Sequence, residues 1–324
     1  MLKNQIDLEL LKRFEKGLDP RYPQKNPIPA KILGYGEMST IFEIDHETQR
    51  GLAYKRMPIF RTQQEMDQYE QIYKEYNYLL NDELDIHVPE FTSVRIVPEK
   101  GNLMIYNVQR KLPTESICNS LLHSLDHESM KTLMLAVLRE FKKVWAFNKE
   151  SKDIEIGIDG QISNWAVKDY TPGKNLAGQT IELYYIDTST PLYKKNGLEQ
   201  LNPELFLRSA PSFLVWLVKW LFLENVMTRY YDFHLVVVDL IANFYKEQRP
   251  GYIPLLIDTA NAFFSEEAKE FALSPITLKE VRAYYREDAM IWRIYLAFRK
   301  IDRFIHNQIL HKPYVYILPG KIKR

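Results

Sequence analysis

GIDGQISNW, residues 157–165, supports two readings, and the choice between them decides the fold. Asp-Gly between the β-favouring runs IEIGI and QISNWAV is a strong signal for a two-residue type I′ hairpin turn. The same stretch also reads as a catalytic loop, because Asp159 and Asn164 can place a proton acceptor and a metal ligand on one rigid bend. Spacing alone does not separate the two, since Asp302 and Asn307 repeat it inside an expected helix. Locally the hairpin stays open; the surroundings favour the loop.

Before the loop, apolar residues from Met130 to Trp145 keep a helical spacing across 127–148. After it come two strand-like pieces, ISNWAV (162–167) and IELYYID (181–187). The second ends in Asp187, where a carboxylate emerging from an apolar strand suits Mg²⁺, a hard cation that takes oxygen ligands. LLID, ending at Asp258, is an internal competitor for that role, and Asp187 is preferred because it follows soon after Asn164. Further helices are expected over 203–226, 230–247 and 278–311, the last opened by a capping box from Thr277 to Glu280. FLVWLVKWLFL (213–223) is shorter than the ~20 apolar residues a bilayer crossing needs, so it reads as a buried helix and no transmembrane segment is expected.

Upstream, AKILGYG (30–36), TIFEID (40–45) and LAYKR (52–56) read as an antiparallel meander. Gly34, Gly36 and Ser39 form G-x-G-x-x-S at its first bend, where glycines let backbone N–H groups approach phosphate oxygens. A strand with an ordinary bend gives the same letters. Lys55 lies on the third strand, either solvated or facing inward toward nucleotide phosphates. An amphipathic helix spans Thr62 to Leu80, with Glu75 the preferred partner for Lys55 and Glu65 and Glu70 its rivals. FTSVRIV and LMIYNVQR then form a second hairpin across PEKGN.

Taken in order, GYGEMS, AYKR, KEYNYLL, GIDGQISNW and YYIDTS resemble the protein-kinase-like superfamily, more closely its aminoglycoside-phosphotransferase and small-molecule-kinase branch. The motifs cover residues 30–190. The resemblance implies an α+β, two-lobed protein-kinase-like fold: an N-terminal five-stranded antiparallel sheet with one helix, then a mostly helical C-terminal lobe. The expected divisions are an N-terminal helical extension (1–26), a nucleotide-binding lobe (27–112) and a helical lobe with catalytic loop and metal site (113–324). Lys55 is assigned to the phosphates of ATP, Glu75 to orienting Lys55, and Asp159 to accepting the proton of the substrate hydroxyl. Asn164 and Asp187 are assigned to Mg²⁺, and the stretch from Val108 through Arg110 to Lys111 to the hinge against which adenine packs. Two positions depart from the pattern: Gly157 stands where the family has a bracing histidine, and no glycine follows Asp187.

Composition sets the remaining bounds. With 43 Lys and Arg against 42 Asp and Glu, no global field draws this 324-residue chain to nucleic acid. Cys118, the single cysteine, excludes an internal disulfide and any multi-cysteine metal site, and the charged MLKNQIDLELLKRFEKGLDP has no signal-peptide core. A cytoplasmic protein is expected. The leading expectation is an ATP- and Mg²⁺-dependent phosphotransferase acting on a small-molecule hydroxyl. The alternatives are a pseudokinase that binds a nucleotide or a partner without transfer, motivated by Gly157, and a non-nucleotide interaction protein that docks through Arg282, Arg286, Arg293, Arg299 and Arg303; such a row of arginines is more often just a solvated face.

Overall fold

Alternation along the strands sorts one sheet into two faces with different partners. The computed structural model describes residues 2–36, 39–97, 103–202, 204–208, 228–312 and 314–320. Strands β1 (Ala30–Tyr35), β2 (Thr40–Ile44), β3 (Leu52–Phe60), β4 (Phe91–Ile96) and β5 (Leu103–Arg110) form a five-stranded antiparallel sheet in the order β1-β2-β3-β5-β4. On one face Phe42, Ile44, Leu52, Tyr54, Tyr106 and Val108 are buried with Leu10, Leu11 and Phe14 of helix α1 (Leu8–Gly17). On the other, Met57, Phe60 and Ile105 pack with Met66, Tyr69 and Tyr73 of helix α2 (Gln63–Tyr78). Lys55 pairs with Asn107 in the β3–β5 register, between Tyr54 and Arg56, so period-2 geometry sets it on the face opposite α1.

β3 continues beyond the expected LAYKR through Pro58, and the register breaks between Met57 and Phe60. Proline cannot donate to the ladder, so an irregularity is where a strand tolerates it. α2 starts where its cap predicts, with Thr62 Oγ1 accepting the Glu65 N–H at 3.2 Å.

The helical region is built on α3 (His127–Glu150), capped by Asp126, whose buried stripe includes Met130, Leu133, Val137, Phe141 and Val144. Helices α4 (Phe233–Lys246), α5 (Ile253–Glu266) and α6 (Leu278–Phe304) complete it, and both halves of the Thr277/Glu280 capping box are present. α5 was not expected. It places Asp258 exposed on a helix rather than at a strand tip, which removes that residue as a competitor for Asp187. The expected helix over 203–226 is described only at Glu204–Leu207, and the apolar run 213–223 and the turn 98–102 lie outside the described residues. No helix among the described residues is long and apolar enough to cross a membrane.

Candidate active site

The hairpin reading of GIDGQISNW fails on strand partners. β6 (Ile154–Ile156) pairs with β9 (Tyr193–Lys195), whereas β7 (Trp165–Val167) pairs with β8 (Leu183–Tyr185). Neither Asp159 nor Gly160 has the positive φ that a type I′ turn requires at both central residues. The stretch is a loop between two separate ribbons.

Its conformation is held from several sides. Asn148, near the end of α3, donates to the Ile156 carbonyl at 2.7 Å and accepts from the Ile156 N–H at 2.8 Å. The Gly157 and Ile158 N–H groups donate to Leu192 O at 2.8 Å and Tyr230 O at 3.0 Å, and Tyr76 Oη of α2 donates to Gly157 O at 2.9 Å. A Cβ at 157 would lie 3.1 Å from both Tyr230 O and the Tyr231 ring. A larger side chain there would require Tyr230 or Tyr231 to shift, and in this chain the loop is braced by the Tyr76 hydroxyl and the Tyr230 carbonyl. A Cβ at 160 would come within 2.7 Å of Val236 Cγ1 and Val236 O, so Gly160 allows the loop to lie directly on α4.

Downstream, the Asp159 Oδ1 accepts the Gln161 N–H at 3.1 Å, a bond that shapes the turn leading to Asn164. Asn164 Nδ2 donates back to Asp159 O at 3.4 Å. Asn164 O accepts the Ile186 N–H at 2.8 Å, extending the β7–β8 ribbon by one bond. Asn164 and Asp187 are thereby brought to adjacent strand ends, as the sequence spacing predicts.

Lys55 Nζ meets Asp187 Oδ1 at 2.6 Å, and Ser189 Oγ donates to the same oxygen at 2.8 Å. Burial pushes the Asp187 carboxyl up, but the charge and hydrogen bond of Lys55, with Ser189, outweigh it and hold the group below its ordinary value. Asp159 goes the other way. Burial raises it, and the Asp187 charge adds to the rise against the opposing Gln161 N–H and Lys246, leaving it up at about 6. Two neighbouring carboxyls with opposite shifts suit different tasks, a proton acceptor and a permanent anion.

A cavity of about 400 Å³ runs between the sheet and the helical region, lined by Gly34, Gly36, Lys55, Arg110, Asn164 and Asp187 among others. Ser39 is buried in the bend, where its carbonyl accepts the Gly36 N–H at 3.0 Å. Two assignments change. The Val108 side chain lies in the α1 cluster on the opposite face of the sheet, and its neighbours Asn107 and Gln109 line the cavity instead, a consequence of strand alternation. Glu75 does not meet Lys55; it pairs with Lys195 and accepts from Tyr193 Oη at 2.9 Å. Its rivals are also engaged elsewhere, Glu65 by Arg208 at 2.7 Å and Glu70 by Arg95 at 2.6 Å. The face that α2 turns toward the site carries tyrosines: Tyr69 Oη donates to Ser189 O at 2.7 Å.

Sequence reasoning missed Asn107, Tyr76, Gln161 and Lys246. The first two sit within periodic apolar patterns and look like core. Gln161 and Lys246 meet at 2.7 Å although 85 positions apart, a pairing no local motif announces.

A lysine-bearing five-stranded sheet, faced by a helix between its third and fourth strands and by an Asp-Asn loop and strand-tip Asp from a helical region, is the arrangement of a protein-kinase-like fold. Residues 23–304 match DUF6206, a family of unknown function, and the chain belongs to that family. No curated protein matches it. Among solved structures it is similar to WaaP in complex with acyl carrier protein, at 12% identity and TM-score 0.34 over 87% of this chain and 96% of that chain. It is also similar to the GDP complex of an aminoglycoside 2′-phosphotransferase mutant, at 10% identity and TM-score 0.36 over 80% of this chain and 99% of that one.

Proposed function

We propose that this protein is an ATP- and Mg²⁺-dependent phosphotransferase that acts on a hydroxyl of a small molecule. The observation that carries the reading is the convergence of Lys55, Asn164 and Asp187 on one cavity, beside an Asp159 whose carboxyl is raised toward neutrality. In this reading residues 27–112 hold the nucleotide and 113–324 carry the catalytic loop and metal ligands. A cytoplasmic location goes with ATP as the donor in this reading.

Asn164 and Asp187 fit Mg²⁺ chemically: both offer hard oxygen atoms, and Lys55 Nζ and Ser189 Oγ both meet Asp187 at Oδ1. Fewer than three His, Cys, Asp or Glu side chains cluster at any point among the described residues, so phosphate and water oxygens would complete the shell. When bound there, Mg²⁺ supplies neutralising charge to the phosphates. Lys55 adds a fixed cation from the sheet, and Arg110 lines the wall nearer the hinge. Asp159 takes the proton of the acceptor hydroxyl as the O–P bond forms and the bond from Pγ to the bridging oxygen breaks, with ADP leaving. Positioning and charge do most of the work in such a reaction.

The test is thermal unfolding with ATP, GTP and ADP, each with and without Mg²⁺, followed by an acceptor screen that monitors ADP release. Magnesium-dependent stabilisation by mass action on the native state is expected, with turnover that Asp159→Asn abolishes. Turnover that survives this substitution overturns the role of Asp159. Nucleotide binding without transfer across the panel supports a binding module instead.

A further inference from the structure

The cations that face the cavity differ in how their charge is met. Lys55 has Asp187 at 2.6 Å, Lys111 has Glu43 at 2.6 Å and Arg110 has Glu90 at 3.2 Å. Lys246 closes helix α4 and lines the same cavity, but its near partners are neutral amide oxygens, Gln161 Oε1 at 2.7 Å and Asn243 Oδ1 at 3.4 Å. Its nearest described carboxylate oxygen, on Glu247, is 3.8 Å away. The Lys246 side chain is 23% exposed, so solvent still reaches it and its charge is not buried.

Gln161 ties this ammonium to the catalytic loop, because its own N–H bonds the Asp159 carboxylate. Lys246 therefore stands on the helical side of the cavity, next to the proposed base, while Lys55 stands on the sheet side. In phosphoryl transfer the charge spreads over the oxygens of the transferred group, and a fixed cation placed there acts without reorganisation. We propose that Lys246 contacts the terminal phosphoryl group of the bound nucleoside triphosphate and is a second catalytic cation of this site. The inference rests on the nucleotide reading above. The competing role, an anchor that only steadies the loop through Gln161, makes a different prediction.

The experiment is calorimetric titration of the full chain with Mg²⁺ and either ADP or the non-hydrolysable ATP analogue AMP-PNP, for wild type, Lys246→Met, Lys246→Arg and Gln161→Met. Lys246→Met is expected to weaken AMP-PNP binding about tenfold, the value of one charge-assisted contact, with ADP changed by less than about twofold. Lys246→Arg retains most of the triphosphate preference, and Gln161→Met leaves the AMP-PNP to ADP ratio as in wild type. Unchanged ADP binding also reports that each variant is folded. An unchanged ratio in Lys246→Met, or the same ratio change in Gln161→Met, overturns the role of Lys246 and leaves the phosphotransferase reading standing. A wild type that binds neither nucleotide overturns both.

Discussion

Asp159 carries a cost that can be measured without a substrate. Its carboxyl is raised from 3.8 to about 6, first by burial and then by Asp187. A carboxyl that binds its proton more tightly when folded adds stability below the unfolded value and loses it as pH rises through the folded one. At pH 7.5 the folded protein therefore holds an unfavourable ionised group, and Asp159→Asn, whose side-chain oxygen can still accept the Gln161 N–H, relieves it. Differential scanning calorimetry in the presence of a chelator is expected to give the variant an unfolding temperature a few degrees higher at pH 7.5, with the gain shrinking as pH falls through about 6. An equal gain at every pH would mean that the carboxyl is not perturbed. Gly160 is held by sterics alone: Gly160→Ala puts a methyl 2.7 Å from the Val236 carbonyl, against the backbone of α4. Overpacking of this kind costs about 1–3 kcal/mol, read as a lower denaturant midpoint at unchanged slope.

Helix α2 illustrates how far pattern carries and where it stops. Its span, its Thr62 cap and its buried stripe of Met66, Tyr69, Tyr73 and Tyr76 follow from spacing and capping chemistry. Spacing does not say what a buried polar group on that stripe will meet. Tyr76 reads as core, yet its hydroxyl reaches Gly157 O, a carbonyl 81 positions away, and joins the sheet-side helix to the 157–165 loop. Glu75, one residue earlier, is rotated by about 100° on the helix and meets Lys195 on β9. Tyr76→Phe removes the donor and leaves a buried carbonyl short of a partner, costing about 1–2 kcal/mol. Hydrogen exchange is expected to show faster exchange at the Gly157 and Ile158 amides than the global loss explains; uniform change across the chain would mean that the bond does not support the loop. The same limit applies to the other elements. β1 and β2 are legible because alternation survives one-sided burial, β4 and β5 because the turn residues PEKGN separate two β-favouring runs, and α3 because its stripe is unbroken. α5 is not, because IPLLIDTANAFF begins like a buried strand. The candidate site is legible where its members lie in local motifs, as with Lys55, Asp159, Asn164 and Asp187, and illegible where tertiary packing supplies them, as with Lys246 and Asn107.

The two ends of the chain meet on the sheet, far from each other in sequence. α1 covers one face, and Tyr314, Tyr316 and Ile317 return from beyond α6 to pack beside it and against the α2 face. Arg56 is the junction. Next to Lys55 on β3 but pointing to the other face, it is 4% exposed and bonds Glu15 of α1 through Nε at 2.8 Å and Nη2 at 2.7 Å, while Nη1 donates to Val315 O at 2.8 Å. Tyr106 Oη also donates to Glu15. One guanidinium thus fastens the N-terminal helix, the central strand and the C-terminal segment, and the strand it fixes is the one that presents Lys55. A buried ion pair adds little over a well-packed apolar pair, but removing one partner strands the other charge. Arg56→Met alone is therefore expected to cost about 3–5 kcal/mol, and Glu15→Leu alone a similar amount, whereas Arg56→Met combined with Glu15→Leu costs clearly less than their sum. Chemical denaturation of the wild type, both single variants and the double variant closes the cycle, and strict additivity would mean that the three segments are held by packing rather than by this pair. Because Arg56 and Lys55 are consecutive on β3, loss of the junction is also expected to weaken the nucleotide binding proposed above before the sheet unfolds, and limited proteolysis is expected to cut near both termini at the denaturant concentration where that binding falls.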